Sequence, residues 1–390
     1  MFSFRTKLSM LKAVLTKNSP FYVQFYVSKF CHQKCQMCNI VESNSDLTSF
    51  DIEKIDKIAD NLVKIGVGVV LLTGGEPLLR SDLDKIVLAF KSRGLDVRMQ
   101  TAGLFARKEL IKKCVDNGAR DINISLDSLD EKLSDEINGL KGSWKNAIRT
   151  ISYVSKIFPK KDSICAFGCV LSPYNIDEIE YVLKFATKIG WWLSLVPVHV
   201  NRKVNILRFR SINKSIQFDE RSIKKVGKLI KKLKEMKKKG YLLFDSDAYL
   251  DSVKYFVENN KANWRKNNVC DSANLYFAIL PDASFAPCCD YRFSEKVYLY
   301  DDNFPQIYRS LKFKKDVNKI TSQCDGCNYG SYPEMTLTVR SAKTFFERVL
   351  LQLKVKNVEK KEISVKGLLS LIKQIKSKNI KYYRNIKSLK

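Results

Sequence analysis

Between residues 21 and 198 one pattern recurs six times: a short run of β-branched and aromatic residues, a loop, then a segment whose apolar residues fall at helical spacing. The strand runs lie at 21–28, 68–73, 96–100, 121–125, 163–171 and 192–198. The first intervening helix shows the spacing plainly, with Ile52, Ile55, Ile58, Ala59, Leu62 and Ile65 on one face. Strands separated by a helix cannot pair as hairpins, so they run parallel and are joined by right-handed crossovers. The predicted fold class is therefore α/β, and six units favour a partial (β/α)6 TIM-like barrel over an open doubly wound sheet. In either architecture ligands bind at the carboxyl ends of the strands, so chemistry is expected in the loops there.

After residue 201 the pattern changes. Residues 1–20 form an N-terminal extension, 21–201 the core, and 202–244 a basic helical connector. A smaller α+β region with five cysteines is expected over 245–335, and a basic amphipathic helical tail over 336–390. The net charge is +28, and most of it sits in two segments: 202–240 holds 15 basic and 3 acidic residues, and 341–390 holds 14 and 3. Such segments attract polyanions or an anionic membrane surface, but they also arise as solvated helix faces. In the tail, Val365, Leu368, Leu369, Ile372 and Ile375 fall at helical spacing among Lys366, Lys373, Lys376 and Lys378. That stripe is expected to dock on the protein's own core, with a membrane surface as the other destination. No apolar run approaches the roughly 18–20 residues of a membrane span, and the start lacks the pattern of a secretory signal. A cytoplasmic chain is expected, peripheral to a membrane if the tail docks there. In a reducing compartment eleven cysteines read as metal ligands or reactive thiols rather than as disulfides.

The loop after the first strand reads Cys31-His32-Gln33-Lys34-Cys35-Gln36-Met37-Cys38, a C-x3-C-x2-C arrangement. Three soft thiolates crowded on one loop suit an iron–sulfur cluster, and a four-iron cubane with three local ligands keeps one iron open to a substrate or cofactor. A zinc site borrowing a fourth ligand, from His32 or a distant cysteine, also fits this spacing. The second strand runs into Gly74-Gly75-Glu76-Pro77. Its glycines are expected to let backbone approach a ligand, and Glu76 with the glycine carbonyls to accept hydrogen bonds from an ammonium group.

In this combination the chain resembles the radical S-adenosylmethionine (radical SAM) enzyme superfamily, through the three cysteines and the GGEP motif at the end of the second strand. The resemblance implies a [4Fe-4S] cluster on Cys31, Cys35 and Cys38, and SAM chelated at the open iron, with Gly74, Gly75, Glu76 and Pro77 receiving its amino group. It implies reductive cleavage of SAM to a 5′-deoxyadenosyl radical that takes hydrogen from a substrate, with electrons from an external flavodoxin- or ferredoxin-type donor. Met37 stands where relatives commonly carry an aromatic residue, and its thioether can still pack on the adenine. Ile124-Ser125-Leu126-Asp127 resembles the family's S-[IL]-D stretch, which implies Ser125 and Asp127 as contacts to the ribose or aminoacyl part of SAM. Val170 is expected beside the adenine. Gln100-Thr101-Ala102-Gly103 departs from the Thr-Asn-Gly that relatives often show.

Cys270, the segment from Pro281 to Cys288-Cys289, and Cys324-Asp325-Gly326-Cys327 resemble the auxiliary-cluster region called twitch or SPASM. The resemblance implies a second [4Fe-4S] cluster on Cys270, Cys288, Cys324 and Cys327, with Cys289 as substitute ligand or spare thiol. The shorter twitch form fits better, because a full SPASM region needs about seven cysteines for two clusters. A four-cysteine zinc site is the alternative. The turn Pro281-Asp282-Ala283 lacks the family's glycine. Cys114, Cys165 and Cys169 are expected as buried inert thiols. His32 and His199 are the sole histidines. His32 is expected as a surface loop residue. Asp245, Asp247 and Asp251 are expected in a cap or solvated turn, with contact to substrate as the other reading. The predicted activity is that of a radical SAM enzyme acting on a peptide or small metabolite, the auxiliary cluster aiding oxidation or anchoring substrate. An RNA-modifying radical SAM enzyme is the first alternative. A non-catalytic zinc protein that binds nucleic acid is the second, and it leaves Gly-Gly-Glu-Pro unexplained.

Overall fold

A computed structural model describes residues 2–201, 208–265, 267 and 270–387, with side chains beyond 377 outside the described set. The first residues of the basic connector, 202–207, and the Lys378 side chain thus lie outside it. The six expected strands form as β1 (Tyr22–Ser28), β2 (Val69–Gly74), β3 (Asp96–Thr101), β4 (Asp121–Ser125), β5 (Cys165–Leu171) and β6 (Trp192–Pro197). All pair in parallel with their sequence neighbours. Two more strands, β7 (Tyr276–Ile279) and β8 (Phe285–Ala286), join the same sheet, giving the order β6-β5-β4-β3-β2-β1-β7-β8. The result is a mostly parallel sheet wrapped by helices, without closure between β6 and β8 among the described residues.

The two strands of the second cysteine region are therefore an extension of the main sheet. β7 pairs in parallel with β1, Tyr22 opposite Tyr276 and Phe25 opposite Ile279, and β8 returns antiparallel. The connecting turn places Ala283 at φ +63°, a left-handed conformation that glycine adopts freely and alanine does not. Asp282 braces it by accepting from the Ser284 N–H at 3.1 Å.

Strand periodicity sorts side chains between two environments. Val23, Phe25, Val70, Leu72, Val97, Met99, Ile122 and Ile124 face the helices and build the main core. The alternate positions include Gln24, Gln100, Asn123, Ser125 and Ser194, which face a cavity inside the curved sheet. The open edge of β6 is covered by 242–244: Leu193 N–H donates to the Leu242 carbonyl at 2.9 Å, and Phe244 N–H to the Leu193 carbonyl at 2.7 Å.

The tail helix, Val365–Lys387, lies on the helices Ser143–Ile157 and Ile179–Lys188 and buries Leu368, Ile372 and Ile375. Lys376 pairs with Glu178 at 3.3 Å and Asp130 at 3.7 Å. The predicted apolar stripe thus docks on the core, with Leu369 left 37% exposed. Among the described residues no helix is long and apolar enough to cross a membrane.

Candidate cofactor site

A cavity of about 380 Å³ opens at the carboxyl ends of the strands. Cys31, Cys35, Cys38 and Met37 line it from the loop after β1, Gly74 and Gly75 from the end of β2, and Ser125, Asp127 and Val170 from β4 and β5. Its size is within the range of small-molecule sites.

Local backbone packing explains the Gly-Gly-Glu-Pro segment, in a way the sequence reading did not anticipate. Gly75 N–H donates to the Ser28 carbonyl at 2.8 Å, and Glu76 N–H to the Phe30 carbonyl at 2.7 Å. A Cβ on Gly75 would stand 2.1 Å from the Phe30 carbonyl oxygen, and one on Gly74 2.4 Å from that of Ser28. The close approach these glycines permit is to the cysteine loop itself. The Glu76 carboxylate is fully buried and accepts from the Thr101 hydroxyl (2.7 Å) and the N–H groups of Ala102 (2.7 Å) and Leu78 (3.0 Å). These three bonds tie β2 to β3 through the Glu76 side chain. Burial, partly opposed by these bonds, holds its pKa above the usual range. Pro77 begins the short helix Pro77–Leu79 and is buried.

The cysteine loop is also strapped to the helix Glu131–Asn138. Lys34 N–H donates to the Asn138 carbonyl at 3.2 Å and Gln36 N–H to that of Ile137 at 3.1 Å. Burial raises all three thiol pKa values, Cys38 to about 12, and neighbouring thiolates add to the effect at Cys35 and Cys38. Unaided, the loop holds neutral thiols; a cationic metal centre would make the thiolates the favoured form. Among the described residues no three His, Cys, Asp or Glu side chains converge closely enough to ligate one ion. Three cysteine thiols on one loop are a soft donor set that suits an iron–sulfur cluster.

Asp127 is buried, and its carboxylate accepts from Val170 N–H at 2.7 Å. Burial pushes its pKa up to about 6. Met37 and Val170 pack in one apolar cluster with Val198, Val200 and Ile216 beside the cavity. Cys165 and Cys169 are buried on the helix side of β5, although Cys169 reaches the cavity edge, and Cys114 is buried in the main core. Ser246 caps the helix Asp247–Asn259, Asp251 pairs with Lys234 at the surface, and Asp245 is buried, accepting from Ser194 Oγ and Leu195 N–H, each at 2.7 Å. His32, on the cysteine loop, is half-buried with its Nδ1 lacking a hydrogen-bond partner among the described residues.

Several cavity residues escaped the sequence reading. Asn123 Oδ1 is buried without a hydrogen-bond partner among the described residues, and Gly168 gives it room, since a Cβ there would stand 2.8 Å from the Asn123 amide nitrogen. An orphaned acceptor in a cofactor-sized cavity suits a ligand hydroxyl or amine. The available signal was polarity at every second position of strands otherwise buried on both faces. His199 also lines the cavity, stacked on Tyr329 at 3.9 Å, its Nε2 accepting from Asn328 N–H at 2.8 Å. Burial, then the nearby Arg210 charge, keeps it neutral.

The second cysteine set gathers beside this wall. Burial, then the nearby Cys288, raises Cys270 to about 12 and also raises Cys324; Cys327 is raised well above the usual range by burial, then by Cys324. Cys289 donates to Cys288, which lowers the Cys288 pKa, and is itself buried against the main cavity. Trp264 Nε1–H caps the Cys327 carbonyl at 2.7 Å, and Arg265 that of Cys324 at 2.8 Å.

Comparison with known proteins agrees with this architecture. Residues 25–186 match the radical SAM superfamily. A probable GTP 3′,8-cyclase of Pyrococcus abyssi is 29% identical over 186 residues, 47% of this chain and 58% of the relative. An AdoMet-dependent heme synthase of Methanosarcina barkeri is 24% identical over 177 residues, 44% of this chain and 49% of the relative. The chain thus spans about half the length of these relatives. In fold it is similar to Streptococcus suis SuiB bound to precursor peptide SuiA, with a TM-score of 0.60 at 15% identity, covering 92% of this chain and 79% of that one. Residues 25–186 thus match a radical SAM domain, the part of the chain that carries the likeness to that superfamily.

Proposed function

We propose that this chain is a radical SAM enzyme that holds its cluster on Cys31, Cys35 and Cys38, and that Cys270, Cys288, Cys324 and Cys327 hold an auxiliary four-iron cluster. The observation that carries the reading is the three-cysteine loop lining one cavity with Gly74, Gly75, Ser125 and Asp127 at the strand ends. When bound, the reduced cluster and SAM supply a 5′-deoxyadenosyl radical. The chain's own residues do the placing. Asn123 Oδ1 and the Ser125 hydroxyl offer polar contacts to a nucleoside, and Met37 with Val170 offers an apolar wall for a purine. The surrounding wall excludes water from the reacting centre. The auxiliary set, one residue from the cavity-lining Cys289, would take an electron from a substrate radical or anchor substrate. An external flavodoxin- or ferredoxin-type donor supplies the first electron.

The lining bears on substrate. Among the described residues its basic side chains are Lys34 and the neutral His199, and the rest are mainly amides, hydroxyls and apolar groups. A triphosphate calls for a clamp of several basic groups. The cavity therefore suits a peptide or a weakly charged metabolite better than the nucleotide named for the Pyrococcus relative. Anaerobic reconstitution tests the whole reading: about eight irons per chain with matching sulfide are expected, and dithionite with SAM should release 5′-deoxyadenosine. Zinc without sulfide, or product release unaffected by Cys35→Ala, would overturn it.

A further inference from the structure

Two helices of this chain carry apolar residues on their outward faces as well as their inward ones. In Phe4–Thr16 the buried residues are small, Thr6, Ser9 and Ala13, with Met10 and Val14 packed partly inward, while Phe4, Leu8, Leu11 and Leu15 face outward at 76, 51, 54 and 71% exposure. In Ala342–Asn357 the buried positions are Thr344, Arg348, Leu351 and Val355, while Phe346, Val349, Leu350 and Leu353 are 66, 38, 65 and 50% exposed. Each set follows i, i+3/i+4, i+7 spacing, so each is a continuous apolar stripe. Scattered exposed leucines need no explanation, but contiguous stripes mark contact surfaces.

The helices occupy one end of the molecule. Phe2, just before the first, shares a small cavity with Gln352 and Val355 of the second, and with Asp96, Asp121 and Ile164 at or next to the amino ends of β3, β4 and β5. The cofactor cavity opens at the opposite, carboxyl ends. Charge identifies the occupant. Phe4–Thr16 contains no acidic residue, and Lys7 and Lys12 are exposed beside its stripe. Lys343 and Lys356 are exposed beside the other, whose one acid, Glu347, is engaged by Lys237.

We propose that this end of the molecule docks on an anionic lipid surface, the two stripes entering the headgroup boundary and the lysines meeting lipid phosphates. The surface is distinct from the tail helix, whose stripe is buried, and docking leaves the cofactor cavity facing away from the bilayer. The test is co-sedimentation of the full-length protein with vesicles of phosphatidylcholine alone or with about one-third phosphatidylglycerol. Anionic vesicles should bind at least about tenfold more tightly, and salt should weaken the binding. The paired substitutions Leu8→Ser with Leu11→Ser, and Phe346→Ser with Leu350→Ser, should each lower binding about tenfold while iron content and the circular dichroism spectrum stay as in the parent. Absence of binding to anionic vesicles, binding indifferent to both pairs, or a dimer in gel filtration that these pairs dissolve would overturn the proposal; the last would assign the stripes to a second copy of the chain.

Discussion

Arg210 and Asp290 form a buried ion pair, Nε to Oδ2 at 3.1 Å, that links the two cysteine sets. Residue 210 bridges by its backbone to Cys38 of the first set, and its Nη2 donates to the Gly326 carbonyl, between Cys324 and Cys327, at 2.8 Å. Asp290 also accepts from Phe209 N–H and the Tyr329 hydroxyl, each at 3.2 Å. Burial, the largest single effect, would lower the Arg210 pKa, but Asp290 together with Tyr329, Cys327 and Cys324 outweighs it and the guanidinium stays charged.

Breaking this pair from one side leaves a buried charge uncompensated. Arg210→Met should therefore cost about 3–5 kcal/mol in urea unfolding. Arg210→Met with Asp290→Leu should recover much of that loss, because the pair's mutual desolvation disappears with it. A single substitution costing under about 1 kcal/mol would show that the pair behaves like an exposed one.

Gly75→Ala drives a methyl toward the Phe30 carbonyl, and the backbone must yield because neither partner is a flexible side chain. The displaced loop carries Cys31. Iron retained after reconstitution should fall by about half, as the first of two clusters is lost, and 5′-deoxyadenosine release should drop more than about tenfold. Full iron content with normal release would show that the loop accommodates the methyl.

Cys288 and Cys289 are adjacent but differently placed, one with Cys270 and Cys324, the other against the main cavity. Cys288→Ser should remove about four irons per chain while Cys289→Ser keeps them. The reverse pattern in iron and sulfide analysis would exchange their roles.

Burial first, and Glu334 second, push Asp245 up to about 7; its bonds from Leu195 and Ser194, and Arg348, work the other way. In the unfolded chain an aspartate titrates near about 3.9. Between those values the folded state binds more protons, so this carboxyl makes stability fall as pH rises from about 4 to 7, by at most about 4 kcal/mol. Asp245→Asn should flatten that slope in thermal melts at pH 5 and pH 8. A slope unchanged by the substitution would place its source elsewhere.

The alternation of apolar runs made the core readable, since period-two and helical spacing record which faces are buried. All six strands stand within two residues of expectation at their ends. The cysteine loop was readable because its three thiols fall within eight residues. The bonds that hold the Glu76 carboxylate were not readable, because they come from Thr101 and Ala102, about 25 positions on, which sequence spacing cannot place. Arg210, Asp290 and His199 were passed over likewise, as their meaning arises from contacts across the fold. β7 and β8 were expected in a region of their own because a four-residue run and a two-residue run carry too little periodicity to reveal their neighbour.

That neighbour has a consequence during synthesis. The strand leading into the cysteine loop is flanked on one side by β2 and on the other by residues 276–279. Until those residues leave the ribosome, a growing chain exposes a ribbon of unsatisfied amide groups on the strand that leads into the cysteine loop. A shortened product ending before 276 should polymerise through its bare flank instead of remaining dispersed.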